Sequence, residues 1–93
     1  MACWFPAPAR AEFYAGSRGY ERPRWLRWAG EEYPVEVLRE VHGSGAAGGF
    51  PQRTIWLVRA GGAFFRVRVV GEEVVIERWG KVTPPRGIAD LLA

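Results

Sequence analysis

Few residues of this chain are of the types that catalyse reactions. It has one His (His42), one Cys (Cys3), one Asp, two Ser and two Thr. Acid–base and nucleophilic catalysis need a base held beside a nucleophile, and nothing in the spacing pairs Cys3 with His42. His42 is therefore interpreted as an exposed residue at a strand end, and no catalytic residue is predicted.

Metal and phosphate sites have as little support. A zinc site needs a cluster of Cys and His side chains, which this composition cannot supply. Residues 43–49 (Gly-Ser-Gly-Ala-Ala-Gly-Gly) are as glycine-rich as a phosphate-binding loop but lack its Gly-Lys-Ser/Thr ending. They are interpreted as a flexible connection, and the Glu pairs at 31–32 and 72–73 as solvated turn carboxylates. No metal and no cofactor is predicted.

The strongest chemical pattern is an alternation of arginines and rings. Residues 22–28 read Arg-Pro-Arg-Trp-Leu-Arg-Trp, and the net charge of +3 permits binding to an anion without requiring it. Exposed rings flanked by cations can bind single-stranded nucleic acid, because bases stack on the rings and cations neutralise phosphates. The same residues can instead form structural cover, since Arg stems pack on apolar surface and Arg stacks on Trp.

Turn residues predict the strands that position these side chains. Gly-Glu-Glu lies between apolar runs at 30–32 and 71–73, and Gly61-Gly62 separates two further runs. Gly in the first central position is typical of a type II′ hairpin turn, which needs a positive φ there. The turns predict five strands, at about 22–28, 32–41, 53–60, 63–70 and 73–79.

The predicted fold class is mainly β. The connection between Val41 and Arg53 is longer than a hairpin loop, which favours a five-stranded antiparallel meander curled into a small SH3-like or open barrel. A flat meander covered by a helix or by the chain ends is the alternative. Ile88, Leu91 and Leu92 are spaced as on one face of a short C-terminal helix.

The hairpins also predict a register. They pair Val58 with Phe65, Val67 with Ile76 and Trp28 with Tyr33, and side chains alternate between the two faces of a sheet. One face then carries twelve apolar residues: Leu26, Trp28, Tyr33, Val35, Val37, Trp56, Val58, Phe65, Val67, Val69, Val74 and Ile76.

The opposite face is mixed. In the predicted register Arg66 lies opposite Glu77, Trp25 opposite Glu36, and Phe64 opposite Trp79. This face is more apolar than the solvated side of an antiparallel sheet usually is. It supplies the predicted interaction surface, which consists of Trp25, Arg59, Phe64, Arg66, Arg68 and Trp79.

Two functions fit such a surface. The first is a non-enzymatic interaction module that self-associates or docks another protein through the mixed face. The second is a small domain that binds single-stranded nucleic acid through Arg59, Arg66, Arg68 and Trp25. An enzyme is a third candidate, and it would require His42 to face a pocket with a polar partner.

The remaining features predict the domain organisation and the cellular location. Residues 1–93 are interpreted as one domain, with an irregular N-terminal segment at 1–19, a strand core at about 22–80 and a tail at 83–93. A single cysteine cannot form an internal disulfide, and no signal peptide or membrane span is recognised, so the predicted location is cytoplasmic. The lack of Asn and the single Gln are interpreted as coding bias, with a heat-loving bacterial source as a further option.

Part of the sequence resembles a known group of proteins. The residues that carry the resemblance are the stretch 24–38 (Arg-Trp-Leu-Arg-Trp-Ala-Gly-Glu-Glu-Tyr-Pro-Val-Glu-Val-Leu), Phe-Phe-Arg-Val at 64–67, and the stretch 74–79 that ends on Trp79. Within about residues 22 to 80 the chain is similar to an uncharacterised family of short bacterial β domains that occur beside, or fused to, Y-family DNA polymerase-like proteins. The resemblance implies a link to nucleic-acid metabolism and supplies no catalytic residue.

Overall fold

The computed structural model describes residues 3–16, 19–43 and 53–92. Its elements are eight strands and one short helix: β1 (Trp4–Pro6), β2 (Arg10–Gly16), β3 (Gly19–Trp28), β4 (Glu31–Pro34), β5 (Glu36–Gly43), β6 (Arg53–Ala60), β7 (Ala63–Val70), β8 (Glu73–Trp79) and α1 (Ile88–Leu91). The prediction of a mainly β fold is confirmed. The glycine-rich connection predicted at 43–49 falls, after Gly43, outside the described residues.

The strands form two antiparallel sheets. One has the order β1-β8-β7-β6-β5 and the other the order β2-β3-β4. The predicted five-stranded meander is therefore wrong in one strand, because the strand at 22–28 belongs to the smaller sheet and β1 takes the fifth place. The sheets are open, which fits the open arrangement in the prediction; the SH3-like assignment is not confirmed.

Two hairpins have the predicted register. In β6–β7, Val58 lies opposite Phe65, and in β7–β8, Val67 lies opposite Ile76 and Arg66 opposite Glu77. Gly71 has a φ of 61°, as the first central position of a type II′ turn requires. Two-residue turns leave a hairpin little freedom to slip, so the turn glycines were enough to predict these pairs.

The β3–β4 hairpin is shifted from the prediction. Its turn consists of Ala29 and Gly30, both with positive φ, which is a type I′ geometry. Trp28 therefore lies opposite Glu31, and Leu26 opposite Tyr33. A shift by an even number of residues keeps each side chain on its predicted face.

The predicted strand at 32–41 is divided at Val35. β4 ends at Pro34 and pairs with β3, whereas β5 begins at Glu36 and pairs with β6. The Val35 amide donates a hydrogen bond to the Arg24 carbonyl at 3.1 Å, at the point where the chain leaves one sheet for the other. The prediction missed this change because alternation reports faces and not sheets.

The shared core lies between the two sheets. All twelve residues of the predicted apolar face belong to this core. Leu26 from the smaller sheet and Phe65 from the larger sheet are both completely buried in it. Ala11 and Phe13 of β2 add to it. The N-terminal segment predicted as irregular thus supplies two strands, and β2 completes the core.

A second core cluster lies on the other side of the larger sheet. It contains Trp4, Leu57, Trp79 and Leu91, with Phe64 partly buried against it. The predicted helical tail is present as α1, although only Leu91 packs inward while Ile88 and Leu92 are exposed. Among the described residues, no helix has the length and apolar character needed to cross a membrane.

Candidate functional site

The six residues of the predicted interaction surface do not share one surface. We call the side of each sheet that is turned away from the shared core its outer face. Arg59, Phe64, Arg66, Arg68 and Trp79 belong to the larger sheet, and Trp25 lies on the outer face of the smaller sheet, opposite Glu12 and Pro34 rather than Glu36. The predicted mixed face is thus split between two sheets.

The outer face of the larger sheet is covered by the tail, residues 83–92. The Trp4 indole donates to the Asp90 carbonyl at 2.8 Å, and the Trp79 indole donates to the Thr83 carbonyl at 2.7 Å. The two indoles also meet edge to face, with ring centroids 4.9 Å apart. Leu91 is completely buried beside them. The apolar half of the predicted mixed face is therefore a second core layer.

Arg66 is held inside this layer. It is only 8% exposed. Its Nε and one terminal nitrogen donate to the two carboxylate oxygens of Glu77, each at 3.0 Å. Another terminal nitrogen donates to the Leu91 carbonyl at 2.8 Å, and the guanidinium lies 4.9 Å from the Trp4 ring centroid. The hydrogen bond to the Leu91 carbonyl fastens the tail to the sheet. Removing one member of the buried Arg66–Glu77 pair would leave an uncompensated charge, so this pair is expected to be costly to break.

The other two arginines of the predicted interaction surface are also paired. Arg68 Nε lies 2.9 Å from Glu77 Oε1, although it is not aligned for a hydrogen bond. Arg59 pairs with Glu36 across strands β6 and β5, where both side chains are about half exposed. All three predicted arginines therefore have a carboxylate within the fold, which reduces their value as phosphate contacts.

The outer face of the smaller sheet has a different character. We call it the arginine–aromatic face; its members are Arg10, Glu12, Tyr14, Arg24, Trp25, Arg27, Glu32 and Pro34. Alternation places the even-numbered residues of β2 here, because Ala11 and Phe13 point into the core. The register of β2 against β3 shifts beside Arg24, and its guanidinium lies 5.5 Å from the Tyr14 ring centroid. The bulge therefore turns Arg24 to the same side as Trp25.

Arg10 and Arg27 lie directly opposite each other on this face, an arrangement that like charges make unfavourable. Arg27 is relieved by Glu32, with its terminal nitrogen 3.0 Å from the carboxylate. Neither Arg10 nor Arg24 has a carboxylate partner among the described residues. Two cations on one sheet face are thus available to an anion from outside.

A shallow cleft of about 280 Å³ opens between these charges. It is lined by Arg10, Ala11, Glu12, Trp25, Arg27 and Glu32. Trp25 is half-buried at this cleft, and Tyr14, further along β2, is 53% exposed. Indole and phenol rings at an open sheet face provide flat surfaces on which a planar group can stack.

A second cleft, of about 310 Å³, lies at the β1 edge of the larger sheet. Phe5, Pro6, Trp28 and Arg78 are among its lining residues, and Arg78 lies 5.0 Å from the Trp28 ring centroid. Its one cation is therefore already stacked on a ring of the fold, in contrast to Arg10.

His42 has polar partners on the protein surface. Its Nδ1 lies 3.2 Å from the Thr54 hydroxyl, and its Nε2 lies 3.3 Å from a Glu40 oxygen. The other Glu40 oxygen accepts a hydrogen bond from the Trp56 indole at 2.6 Å. The His42 side chain is two-thirds exposed and lines neither cleft. These contacts tie β5 to β6 and do not place His42 in a pocket.

One ionisable group of the smaller sheet is perturbed. The Tyr33 hydroxyl donates to a Glu31 oxygen at 2.9 Å. That hydrogen bond, with smaller contributions from desolvation and from the Glu31 charge, raises the pKa of Tyr33 above its ordinary value of 10.0. The neutral phenol is the form that this site favours.

The sequence contained a signal for the residues that the prediction missed. Arg10, Glu12 and Tyr14 alternate with the apolar Ala11 and Phe13, which is the period of a strand with one buried face. The surrounding prolines, glycines and alanines are typical of irregular chain, and they hid this pattern.

Comparison with known proteins gives no relative. No family model matches the chain, and neither a curated protein nor a solved structure matches it.

Proposed function

We propose that this protein is a non-enzymatic binding module for single-stranded nucleic acid and that it binds through the arginine–aromatic face. One observation carries the proposal: Arg10 and Arg24 lack a carboxylate partner among the described residues while lying beside the rings of Trp25 and Tyr14. Cations that contact phosphates, next to rings that stack on bases, are how sequence-tolerant single-strand binders work.

The dimensions of a strand suit such a ligand. Residues two apart on one strand face are separated by about 6.8 Å, so Arg10, Glu12 and Tyr14 form a row along β2. Arg24, Trp25 and Arg27 form a second row on β3. An extended strand lying along these rows would find rings and cations on either side. The resemblance to domains found beside DNA polymerase-like proteins supports the same ligand.

Binding of labelled oligonucleotides tests the proposal. We expect fluorescence anisotropy to show binding of a fluorescein-labelled 20-nucleotide dT strand at low salt, weakening as salt is raised because counterions are released. Trp25→Ala should weaken binding by about 1–3 kcal/mol, the usual contribution of one stacked base.

Phe5→Ala is the matched control for this experiment. Phe5 is an exposed ring and Trp25 a half-buried one, but Phe5 lies at the edge of the larger sheet, so its removal should leave oligonucleotide binding unchanged. Absence of binding to any oligonucleotide at low salt overturns the proposal.

Self-association, or docking of a protein through the face that carries Phe64 and Trp79, is the alternative proposal. It requires the tail to move, since Leu91 packs on that face. Native mass spectrometry at micromolar concentration tests the self-association, and a strict monomer removes it. A cytoplasmic location stays a prediction, based on the single cysteine and on the lack of a recognised signal peptide or membrane span in the sequence.

A further inference from the structure

We propose that Glu12 gives the arginine–aromatic face a preference for guanine at the position where a base stacks on Trp25. The inference rests on the proposed function, because it needs a nucleic acid on that face. It goes further in naming the base and the residue that selects it.

Glu12 is placed where the edge of such a base would lie. It is directly opposite Trp25 in the β2–β3 register, and both line the same cleft. Residues paired in this way have Cβ atoms about 5 Å apart. A base stacked on the indole therefore presents one edge to the strand that carries Glu12.

Glu12 also differs from the other carboxylates nearby. Glu32 is held by Arg27, and Glu31 accepts from the Tyr33 hydroxyl. Glu12 has no ion-pair or hydrogen-bond partner among the described residues, and it is exposed. Its oxygens can therefore accept hydrogen bonds from a ligand without breaking an existing contact.

A carboxylate in a phosphate-binding surface is unfavourable unless the ligand brings donors. An ionised Glu only accepts hydrogen bonds, and it repels the phosphates that Arg10 would attract. Guanine offers two adjacent donors, N1–H and the N2 amino group, which match the two oxygens of one carboxylate. Cytosine and adenine each offer one amino group, and thymine offers a single N3–H between two carbonyl oxygens that Glu12 would repel.

The test uses labelled nine-nucleotide dT strands whose central base is guanine, hypoxanthine or thymine. Hypoxanthine keeps N1–H and lacks the N2 amino group. We expect the guanine strand to bind about tenfold more tightly than the all-thymine strand, which is within the range for a bidentate contact, with hypoxanthine between them. Glu12→Gln should reduce the guanine-to-thymine ratio to about twofold or less and tighten binding of the all-thymine strand.

Glu32→Gln is the matched control. It removes a carboxylate that lines the same cleft but is already paired with Arg27. Because it frees Arg27, it should tighten binding of all three strands alike and leave the guanine-to-thymine ratio unchanged. Equal binding of the three strands, or a preference that persists in Glu12→Gln, overturns the role of Glu12 while the proposed function stands. Failure of all three strands to bind at low salt overturns the proposed function itself.

Discussion

Arginines lie on the outer faces of both sheets, and the three that were predicted as an interaction surface on the larger sheet differ in their surroundings from the three of the arginine–aromatic face. On the larger sheet, Arg66 and Arg68 share Glu77, and Arg59 pairs with Glu36. On the arginine–aromatic face, Arg27 has a carboxylate partner while Arg10 and Arg24 have none among the described residues, and Tyr14 and Trp25 remain accessible. The difference shows that residue type and alternation identify an outer face, whereas the segment packed over it and the carboxylates beside its arginines determine how much of that face is left for a ligand.

Cover by the tail also explains why two ion pairs of the same kind differ in their expected contribution to stability. The Arg66 and Glu77 side chains are 10% and 13% exposed, against 64% and 54% for Arg27 and Glu32. Charges withdrawn from water interact strongly and are expensive to leave unpaired, whereas exposed pairs are screened by solvent. The same chemistry is therefore structural under the tail, at Arg66 and Glu77, and weak where both side chains are exposed, as at Arg27 and Glu32.

The largest expected difference in the free energy of unfolding is between two variants that each remove one carboxylate, one on each outer face. Glu77→Gln leaves Arg66 and Arg68 without an anion near the buried layer, and we expect it to lower the free energy of unfolding by about 3 kcal/mol. Glu32→Gln, the exposed counterpart, should lower it by less than about 1 kcal/mol. Urea denaturation followed by tryptophan fluorescence measures both. Equal losses in the two variants would contradict the contrast between the faces.

The next effect concerns the cover itself. Leu91 is completely buried and Leu92 is 55% exposed. Leu91→Ala should destabilise the protein by about 2–3 kcal/mol, since a buried leucine is replaced by a cavity or the tail detaches. Leu92→Ala should change the free energy of unfolding by no more than about 0.5 kcal/mol, as a surface substitution does. Thermal unfolding of both variants gives the answer, and a Leu92 effect as large as that of Leu91 would show that the tail packs differently.

A smaller effect is expected on the salt dependence of oligonucleotide binding, which should distinguish Arg10 and Arg24 from an arginine that is paired within the fold. Arg10→Gln and Arg24→Gln should each reduce the slope of log affinity against log salt by about 0.7 for a single-stranded ligand. Arg59→Gln, which removes a cation already paired with Glu36, should leave the slope unchanged. Oligonucleotide titrations at several salt concentrations compare the three variants. A larger change in Arg59→Gln than in the other two would reverse the assignment of the faces.

The smallest effect is spectroscopic. The hydrogen bond from Tyr33 to Glu31 raises the pKa of Tyr33 above 10.0, so it contributes stability below pH 10 that is lost as the pH rises through the folded-state pKa. Glu31→Ala should return the tyrosinate absorbance change to lower pH. Glu32→Ala, whose carboxylate contacts Arg27 instead, should leave it in place. An unchanged titration in Glu31→Ala would mean that exposed contacts on the smaller sheet are too weak to detect.

The sequence predicted well where turn chemistry is local. Gly71 and the Gly61-Gly62 pair determined two hairpins, and the pairing of Arg66 with Glu77 followed from them. The prediction of the β3–β4 turn was wrong because Ala29 adopts a positive φ of 55°, a conformation that is unfavourable for a residue other than glycine.

The candidate site was harder to predict because strand order is not local. Trp25 and Phe64 were both correctly expected to point away from the shared core, but no pattern in the sequence assigned them to different sheets. The cover over Phe64 depended on the tail, and the arginine–aromatic face depended on β2, a strand whose flanking prolines and glycines concealed it. Both facts concern contacts between residues far apart in the chain.

The hydrogen bond from the Trp4 indole to the Asp90 carbonyl joins residues 86 positions apart. During synthesis, β1 leaves the ribosome long before β8, its only partner strand in the described structure. Its backbone groups therefore form hydrogen bonds with water or with another partner until β8 has been made. Closing so distant a contact is slow, so the last step of folding is expected to be the joint arrival of β1 and the tail on a sheet that already exists. A released chain that ends at residue 80 should accordingly keep its hairpins, while proteases cleave it near Trp4 faster than they cleave the protein that carries the tail.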